Sequence, residues 1–471
     1  MAPGESATDR TTAQETVRAA LARAADAEGL NAFITLDGER ALEEAARHDE
    51  SASRNGESAA RQDGGTGRWC LVVKDNIHVA GLPNTAGTPA LKDFVPRLDA
   101  PVVRSLRDAG AIVLGKTNMH ELALGVTSGN RAFGAVGNAA DPGLFAGGSS
   151  GGTAAAVAAG IVDAGLGTDT GGSVTIPAAL NGVYGLRPSA GRHPSAAITP
   201  LSTTRDTPGP LARTLDRLVA LDTLITGESA ITPEPGRRIR LGLPRQVFAE
   251  DLDPVVRAAW DEAVDRLTTE HTEWVPVDTG HLVEYDARVG LLLVLGEFAG
   301  AFTRYLAEHR VGRTLDDVLD AVSDPAVAEL LRAGALPAGP GHAGPAALER
   351  ALLERREMQA AYTELFGGSG LDALVSPTVP VCARPLHQHE DTLPLNGREV
   401  PTFPTLIRNT SPAATAGLPS VTLPLPVTAS PPVGLQLIGP RMADRTLLAV
   451  AACVDTLLRA DTVGVAGRVT G

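Results

Sequence analysis

Gly147-Gly-Ser-Ser-Gly-Gly-Thr-Ala-Ala-Ala-Val-Ala-Ala-Gly160 is followed closely by Gly167-Thr-Asp-Thr-Gly-Gly-Ser173. Ala154–Ala159 has strong helix propensity, and the glycines ahead of it do not. Ser149 therefore falls in a turn at or near a helix N-terminus, where unpaired amides can receive negative charge. Glycines beside Ser173 let backbone N–H groups approach a developing oxyanion with no side chain in the way, which makes Thr170, Gly171, Gly172 and Ser173 the natural donors.

A serine hydroxyl is a weak nucleophile at neutral pH and needs a base to take its proton as it attacks. No Gly-x-Ser-x-Gly elbow surrounds either serine, and no motif ties any of the ten histidines to this region. The composition points to another base. Only three of the 41 basic residues are lysines, at positions 74, 92 and 116, and Lys74 ends the apolar run Cys70-Leu-Val-Val73. An arginine stays charged, whereas a desolvated lysine can be neutral for part of the time and accept a proton. A lysine at a strand end that snorkels to water is the plainer reading of the same residue. Lys92 and Lys116 keep plain readings, the first exposed and the second ordering a loop.

A chain of 471 residues, 43% apolar and 20% charged, can bury a large core. Fifty-one glycines and 34 prolines imply a loop-rich α/β protein. The net charge of −14 disfavours nucleic acid or an anionic membrane as a partner, so a small-molecule substrate is expected, with a homo-oligomer possible. Cys70, Cys382 and Cys453 show neither disulfide nor zinc spacing, so no metal is expected. No signal-peptide pattern opens the chain, and a cytoplasmic location is expected.

Thr12-x-x-Glu15 has the form of a capping box before a helix carrying Val17, Leu21, Ala24 and Ala25. Residues His48 to Arg68 read as an exposed loop. Strands are expected at Cys70–Val73, Ala111–Leu114, Ile239–Leu243, Ala373–Ser376, Ser420–Leu425 and Gly434–Ile438. Helices are expected at Val102–Ala109, near Asn118–Leu124, and at Asp216–Leu224, Asp253–Thr268, Ala346–Leu365 and Arg445–Arg459. Their alternation implies a parallel or mixed sheet covered on both faces. One domain over 1–471 is expected, with a helical lead-in over about 10–50, a motif-bearing core over 68–225, a helical cap over about 282–365 and a return to the core over 370–465.

These motifs resemble the amidase signature family. Val73-Lys-Asp75, Gly115-Lys-Thr-Asn118, Ile176-Pro-Ala178, Asp206-Thr-Pro-Gly-Pro210, Ser376-Pro-Thr378 and Val433-Gly-Leu-Gln-Leu-Ile-Gly439 extend the likeness over nearly the whole chain. The resemblance implies an α/β/α fold with a large mixed sheet and hydrolysis of a small carboxamide through an acyl-serine, without a cofactor. It makes Ser173 the nucleophile, Ser149 a bridging serine on a cis peptide bond and Lys74 the base. His78–Pro89, Met119–Ala123, Thr204–Pro210 and Ile407–Thr410 look most like the indoleacetamide and mandelamide hydrolase branch. Substrate contacts are expected from Met119–Ser128, with Met119, Thr127 and Ser128 singled out, and from parts of Leu282–Leu331 and Leu393–Thr410. Many members carry arginine two positions after the nucleophile; this chain has Thr175.

Two rival readings remain at this stage. A glutamine-dependent amidotransferase subunit would share the same triad. A nucleotide-binding module would use the glycines as a phosphate cradle, although no Gly-Lys-Ser/Thr ending follows and Gly165-Leu-Gly167 lacks a third glycine. Ser150 and Asp169 are read as structural, Asp169 as a turn-stabilising carboxylate. His78 and His120 are read as packing or pocket-wall residues.

Overall fold

The run ahead of Lys74 forms a strand whose side chains alternate between two hydrophobic clusters, Leu71 and Val73 entering one, Cys70 and Val72 the other. A strand buried on both faces reads as an unbroken apolar run. The computed structural model describes residues 11–54, 69–231, 237–244, 246–386, 388, 391–426 and 431–460.

Eleven strands make the main sheet: β1 Phe33–Leu36, β2 Cys70–Lys74, β3 Ile112–Thr117, β4 Ala164–Asp169, β5 Tyr184–Arg187, β6 Thr207–Ala212, β7 Ile239–Pro244, β8 Thr272–Val277, β9 Ala373–Pro377, β10 Ser420–Pro424 and β11 Gly434–Ile438. Their order is β1-β3-β2-β4-β6-β5-β10-β11-β9-β7-β8. β2 runs parallel to β3 and β4, and β7 runs parallel to β8 and β9. The other pairings are antiparallel. The sheet is therefore mixed, and the chain has the α/β fold its alternating elements imply.

On one face lie helices α1 Ala13–Asp26, α2 Gly38–Arg54, α4 Gly151–Ala158 and α5 Thr175–Asn181. α3 Pro101–Asp108, α6 Leu215–Thr226, α7 Pro254–Leu267 and α14 Asp444–Arg459 cover the other. Thr12 and Glu15 form the expected reciprocal cap of α1. Between the halves, α8 Gly280–Glu308, α9 Leu315–Asp320, α10 Pro325–Gly334 and α11 Pro345–Ser369 make the helical region. Val294, Phe298, Phe302 and Tyr305 of α8 pack with Ala86, Leu122, Leu124 and Leu201 of the body. Among the described residues α8 alone is long and apolar enough to cross a bilayer, but half of its most apolar window is buried, and it packs against α11 and α13 Ser411–Ala416.

Several expected elements differ. Asn118–Leu124 is not a helix: only Glu121–Ala123 makes a 3-10 turn, with Leu122 and Ala123 at φ 51° and 60°. Tertiary bonds override local propensity there. The Glu121 carboxylate accepts from the amides of Ser323 and Asp324, and the Asn118 side chain donates to Asn31 and Gly134 carbonyls. α2 extends through the first part of the expected 48–68 loop, whose remainder, 55–68, lies outside the described residues. β6 holds two prolines, which lack the N–H a ladder needs. It pairs with β4 along its length but with β5 only at Leu211 and Ala212, so Pro208 and Pro210 lie where that second edge is unpaired.

Candidate active site

Side chains alternate along a strand, so Lys74 shares the face of Cys70 and Val72, the face on which α4 packs. α4 comes close because β4 carries glycines beneath it. A Cβ at Gly165 would stand 2.7 Å from Val72 Cγ2 and 2.8 Å from Thr153 Cγ2, and one at Gly167 would stand 2.8 Å from Ser150 Oγ. Gly165-Leu-Gly167 thus serves close helix–sheet packing. Ser150 occupies the N-cap position of α4, and Ser149 precedes it on a cis Gly148–Ser149 peptide. The first amides of α4 are not open to an anion: Gly151 N–H donates to Ser128 Oγ at 3.1 Å and Gly152 N–H to the Asn118 carbonyl at 3.0 Å. This removes the phosphate-cradle geometry.

Lys74 is fully buried, with Nζ 2.8 Å from Ser149 Oγ, 2.8 Å from Thr168 Oγ1 and 3.3 Å from the Thr168 carbonyl oxygen. Among the described residues no carboxylate lies within ion-pair distance of Nζ. Desolvation pulls its pKa down to about 7, while the more distant Asp169 and Asp206 oppose the shift. A charged ammonium has three N–H donors, and the three acceptors use them all. When the amine is neutral, the two Thr168 oxygens take its two N–H groups and the lone pair is left facing the Ser149 hydroxyl.

Lys116 is equally buried but differently placed. Its Nζ lies 3.3 Å from Asp75 Oδ1 and 3.1 Å from both Pro83 O and Asn84 Oδ1, so it ties down the loop after β2. Lys92 is exposed.

Ser173 lies between β4 and α5, in a loop whose carbonyls are almost all engaged. Arg187 NH1 donates to Asp169 O at 2.7 Å, Arg205 Nε to Thr170 O at 3.0 Å, Thr410 Oγ1 to Gly171 O at 2.6 Å, Ile176 N to Gly172 O at 2.7 Å and Ser150 N to Ser173 O at 3.1 Å. In a trans peptide the next N–H points opposite to the bound carbonyl. The Asp169 carboxylate accepts from Gly172 N at 2.8 Å and Val174 N at 2.7 Å and pairs with Arg187 at 2.7 Å. It is a turn-stabilising group, as read from the sequence. Its bond to Gly172 occupies one of the four amides expected to face an oxyanion; Thr170, Gly171 and Ser173 N–H have no acceptor among the described residues. Gly172 has φ +128°, a conformation that side chains rarely adopt. The two serine hydroxyls are not hydrogen-bonded to each other in this structure.

Arg187 carries no sequence signal, and Arg205 and Thr168 lie inside the Thr204–Pro210 and Gly167–Ser173 motifs with no role read for either. In the structure the two arginines hold carbonyls of the loop, and the Thr175 hydroxyl donates to the Gly172 carbonyl at 3.3 Å. Thr168 flanks Lys74.

A cavity of about 70 Å³ opens beside Ser173, lined by Leu124, Val126, Ile176, Val294 and Ile407, with Leu291 and Phe403 at its mouth, 48% and 38% exposed. These residues and their neighbour α12 Thr402–Ile407 fall within the three segments expected to build the pocket, apart from Ile176, which follows the nucleophile. Met119, Thr127 and Ser128 do not line it: all three are buried behind the wall, where Ser128 Oγ holds Gly151 and Thr127 Oγ1 accepts from Gly129 N–H. A second cavity of about 190 Å³ adjoins, sharing Ala123, Thr170 and Leu201. A larger cleft, about 940 Å³, opens between Phe94–Arg104 and Glu308–Arg313 and holds none of Lys74, Ser149 or Ser173. Greater size alone therefore does not locate the chemistry. His78 sits at that cleft, its Nε2 2.8 Å from Tyr305 Oη, in a packing role. His120 lines neither cavity beside the loop; its backbone N–H donates to Ser149 O at 3.2 Å.

The amidase family model matches residues 15–448. Mandelamide hydrolase of Pseudomonas putida is 38% identical over 467 residues, covering 95% of this chain and 89% of the relative. Indoleacetamide hydrolase of Allorhizobium ampelinum is 36% identical over 449 residues, covering 95% and 94%. A crystal structure of an amidase superimposes with a TM-score of 0.80 at 35% identity, over 94% of this chain and 95% of that one. With the family model spanning almost the whole sequence and these relatives aligned end to end, the chain belongs to the amidase family.

Proposed function

We propose that this amidase hydrolyses small primary amides with an apolar, aromatic acyl group, of aryl-acetamide or mandelamide type, and that Lys74, Ser149 and Ser173 carry the reaction within one domain. The observation that carries the reading is the buried Lys74 Nζ, 2.8 Å from Ser149 Oγ and without an ion-pair partner among the described residues. Ser173 Oγ attacks the carbonyl carbon as its proton passes to Ser149 and the Ser149 proton passes to the neutral Lys74. The carbonyl π pair moves onto oxygen, where Gly171 and Ser173 N–H receive it. On collapse the C–N bond breaks, and the leaving nitrogen takes the proton back from Lys74 through Ser149. Water then attacks the acyl-serine along the same proton path, releasing the carboxylate and restoring the Ser173 hydroxyl.

The apolar lining beside Ser173 supports an aromatic acyl group. The names of the relatives agree and favour this over the amidotransferase reading. A cytoplasmic setting remains the expectation. Turnover of phenylacetamide, indoleacetamide and mandelamide against acetamide and glutamine tests the substrate class, and aryl amides are expected to have the higher kcat/KM. Intact mass with a fluorophosphonate tests the nucleophile: one adduct in wild type and none in Ser173→Ala. Labelling that survives the substitution, or a preference for glutamine, overturns the reading.

A further inference from the structure

Thr170, with Ala123 and Leu201, lies between the cavity beside Ser173 and the second cavity next to it, and lines both. Two consecutive residues hold it from opposite sides. Arg205, facing the cavity beside Ser173, donates from Nε to the Thr170 carbonyl at 3.0 Å. Asp206, facing the second cavity, accepts from the Thr170 hydroxyl at 2.6 Å. We infer that Arg205 and Asp206 form a two-point clamp on Thr170 that fixes the Thr170–Gly171 peptide with its N–H toward the reacting carbonyl, making both positioning residues for the oxyanion. This rests on Ser173 being the acyl acceptor.

Each half of the clamp is anchored beyond Thr170. The Arg205 side chain is buried, and its other two nitrogens donate to the Gly290 carbonyl of α8 at 2.6 Å and to Ser411 Oγ of α13 at 3.1 Å. One rigid fork thus spans the loop, the helical region and the C-terminal return, a geometry a lysine cannot reproduce. Asp206 Oδ2 accepts from Leu201 N at 2.7 Å and Ser202 N at 2.9 Å, so its carboxylate cannot follow a displaced threonine.

The fork also carries charge. Among the described residues no carboxylate lies within ion-pair distance of the Arg205 guanidinium; Asp286 reaches it only through Ser411, which donates to Asp286 Oδ1 at 3.0 Å. A buried cation with so little direct compensation is costly in the resting protein. The same cation favours a state in which negative charge appears nearby, and its NH2 lies 3.4 Å from where a Cβ on Gly171 would stand. Both effects act on the tetrahedral intermediate and leave a planar, neutral ligand almost untouched.

That difference supplies the test. Arg205→Lys, Arg205→Met and Asp206→Asn are compared with wild type for kcat, KM, affinity for 2-phenylethylboronic acid, which becomes tetrahedral on the serine, and, each in a Ser173→Ala background, affinity for planar, neutral phenylacetamide. Circular dichroism and thermal unfolding identify the variants that fold. In either folded Arg205 variant kcat and boronate affinity are expected to fall together by about 10²-fold, the scale of one lost oxyanion donor. KM and phenylacetamide affinity should stay within about threefold, and Asp206→Asn should show the same pattern more weakly. Boronate affinity held at the wild-type level, or phenylacetamide affinity falling in step with it, overturns the clamp. If Arg205→Met does not fold, Arg205→Lys and Asp206→Asn decide. A fluorophosphonate adduct at Ser173 in wild type separates this outcome from failure of the parent reading; without that adduct the clamp falls too.

Discussion

At Lys74 two roles compete for one buried amine, a fixed cation and a proton acceptor, and a charge-preserving substitution separates them. Lys74→Arg keeps the charge and adds donors, but a guanidinium does not deprotonate. It is expected to lose activity nearly as fully as Lys74→Ala, with kcat/KM down by at least about 10²-fold, the lower range for a lost general base. The sign of the pH dependence follows from the depressed pKa. The ammonium predominates below about 7 and blocks proton acceptance, so wild-type kcat/KM should rise through pH 7 and level off above it. Activity flat from pH 5 to 9, or a largely active arginine variant in folded protein, removes Lys74 as base. Lysine is rare in the chain and this one ends an apolar strand, which makes it a candidate; the family resemblance weighs that reading over a lysine that snorkels to water. Glycines mark the loops of Ser149 and Ser173, and the resemblance selects Ser149 over Ser150. Arg187 has no signal, and Arg205 and Thr168 lie in quoted motifs without a role, because arginine is the chain's default cation and threonine a routine strand residue. Met119, Thr127 and Ser128 show the limit from the other side: their segment reaches the cavity, but the turn at Glu121–Ala123 brings Leu124 and Val126 to its wall instead.

Among the elements, β4 and α8 show opposite uses of glycine. In β4, Gly165 leaves room for α4, and a methyl group there would meet Val72 and Thr153 side chains and, at 2.9 Å, the Val72 backbone carbonyl. Gly165→Ala should therefore cost about 1–3 kcal/mol by overpacking and push α4 away from β2, reducing activity with it. In α8, a Cβ at Gly300 meets nothing within 4 Å, and no unusual backbone angle requires glycine there. Gly300→Ala should add about 0.5–1 kcal/mol through helix propensity and leave kcat unchanged. Urea unfolding of the two variants checks both signs at once, and a destabilised Gly300→Ala would show that α8 is more tightly enclosed than its open flank implies. Strong signals made most elements readable: apolar runs for β2, β3 and β9, amphipathic spacing for α6, α7 and α14. β6 was missed because its prolines forbid an ordinary central strand, and the Asn118–Leu124 helix was overcalled because long-range bonds to Ser323 and Asp324 outweigh local preference.

The order of strands across the sheet decides how the whole molecule should unfold. β10, close to the C-terminus, pairs with β5 from the middle of the chain, and β11 links β10 to β9, so the return after α11 joins the two halves of the sheet. The helical region is bound in from both sides, with α8 contributing Val294 to the catalytic cavity and packing through Phe298 and Phe302 on body residues. If the proposed single domain is right, no part of this arrangement can open widely without disturbing the loop around Ser173. Equilibrium urea unfolding should then give one transition. Far-ultraviolet circular dichroism, tryptophan fluorescence and residual amidase activity should share its midpoint. Trp69, just before β2, reports on one part of the sheet, and Trp260 of α7 with Trp274 of β8 on another, so Trp69→Phe and the double variant Trp260→Phe/Trp274→Phe read the two sides separately. Activity lost at clearly lower urea than the common fluorescence midpoint would mean that the helical region separates first. Different midpoints on the two sides would mean that the sheet itself divides into two units.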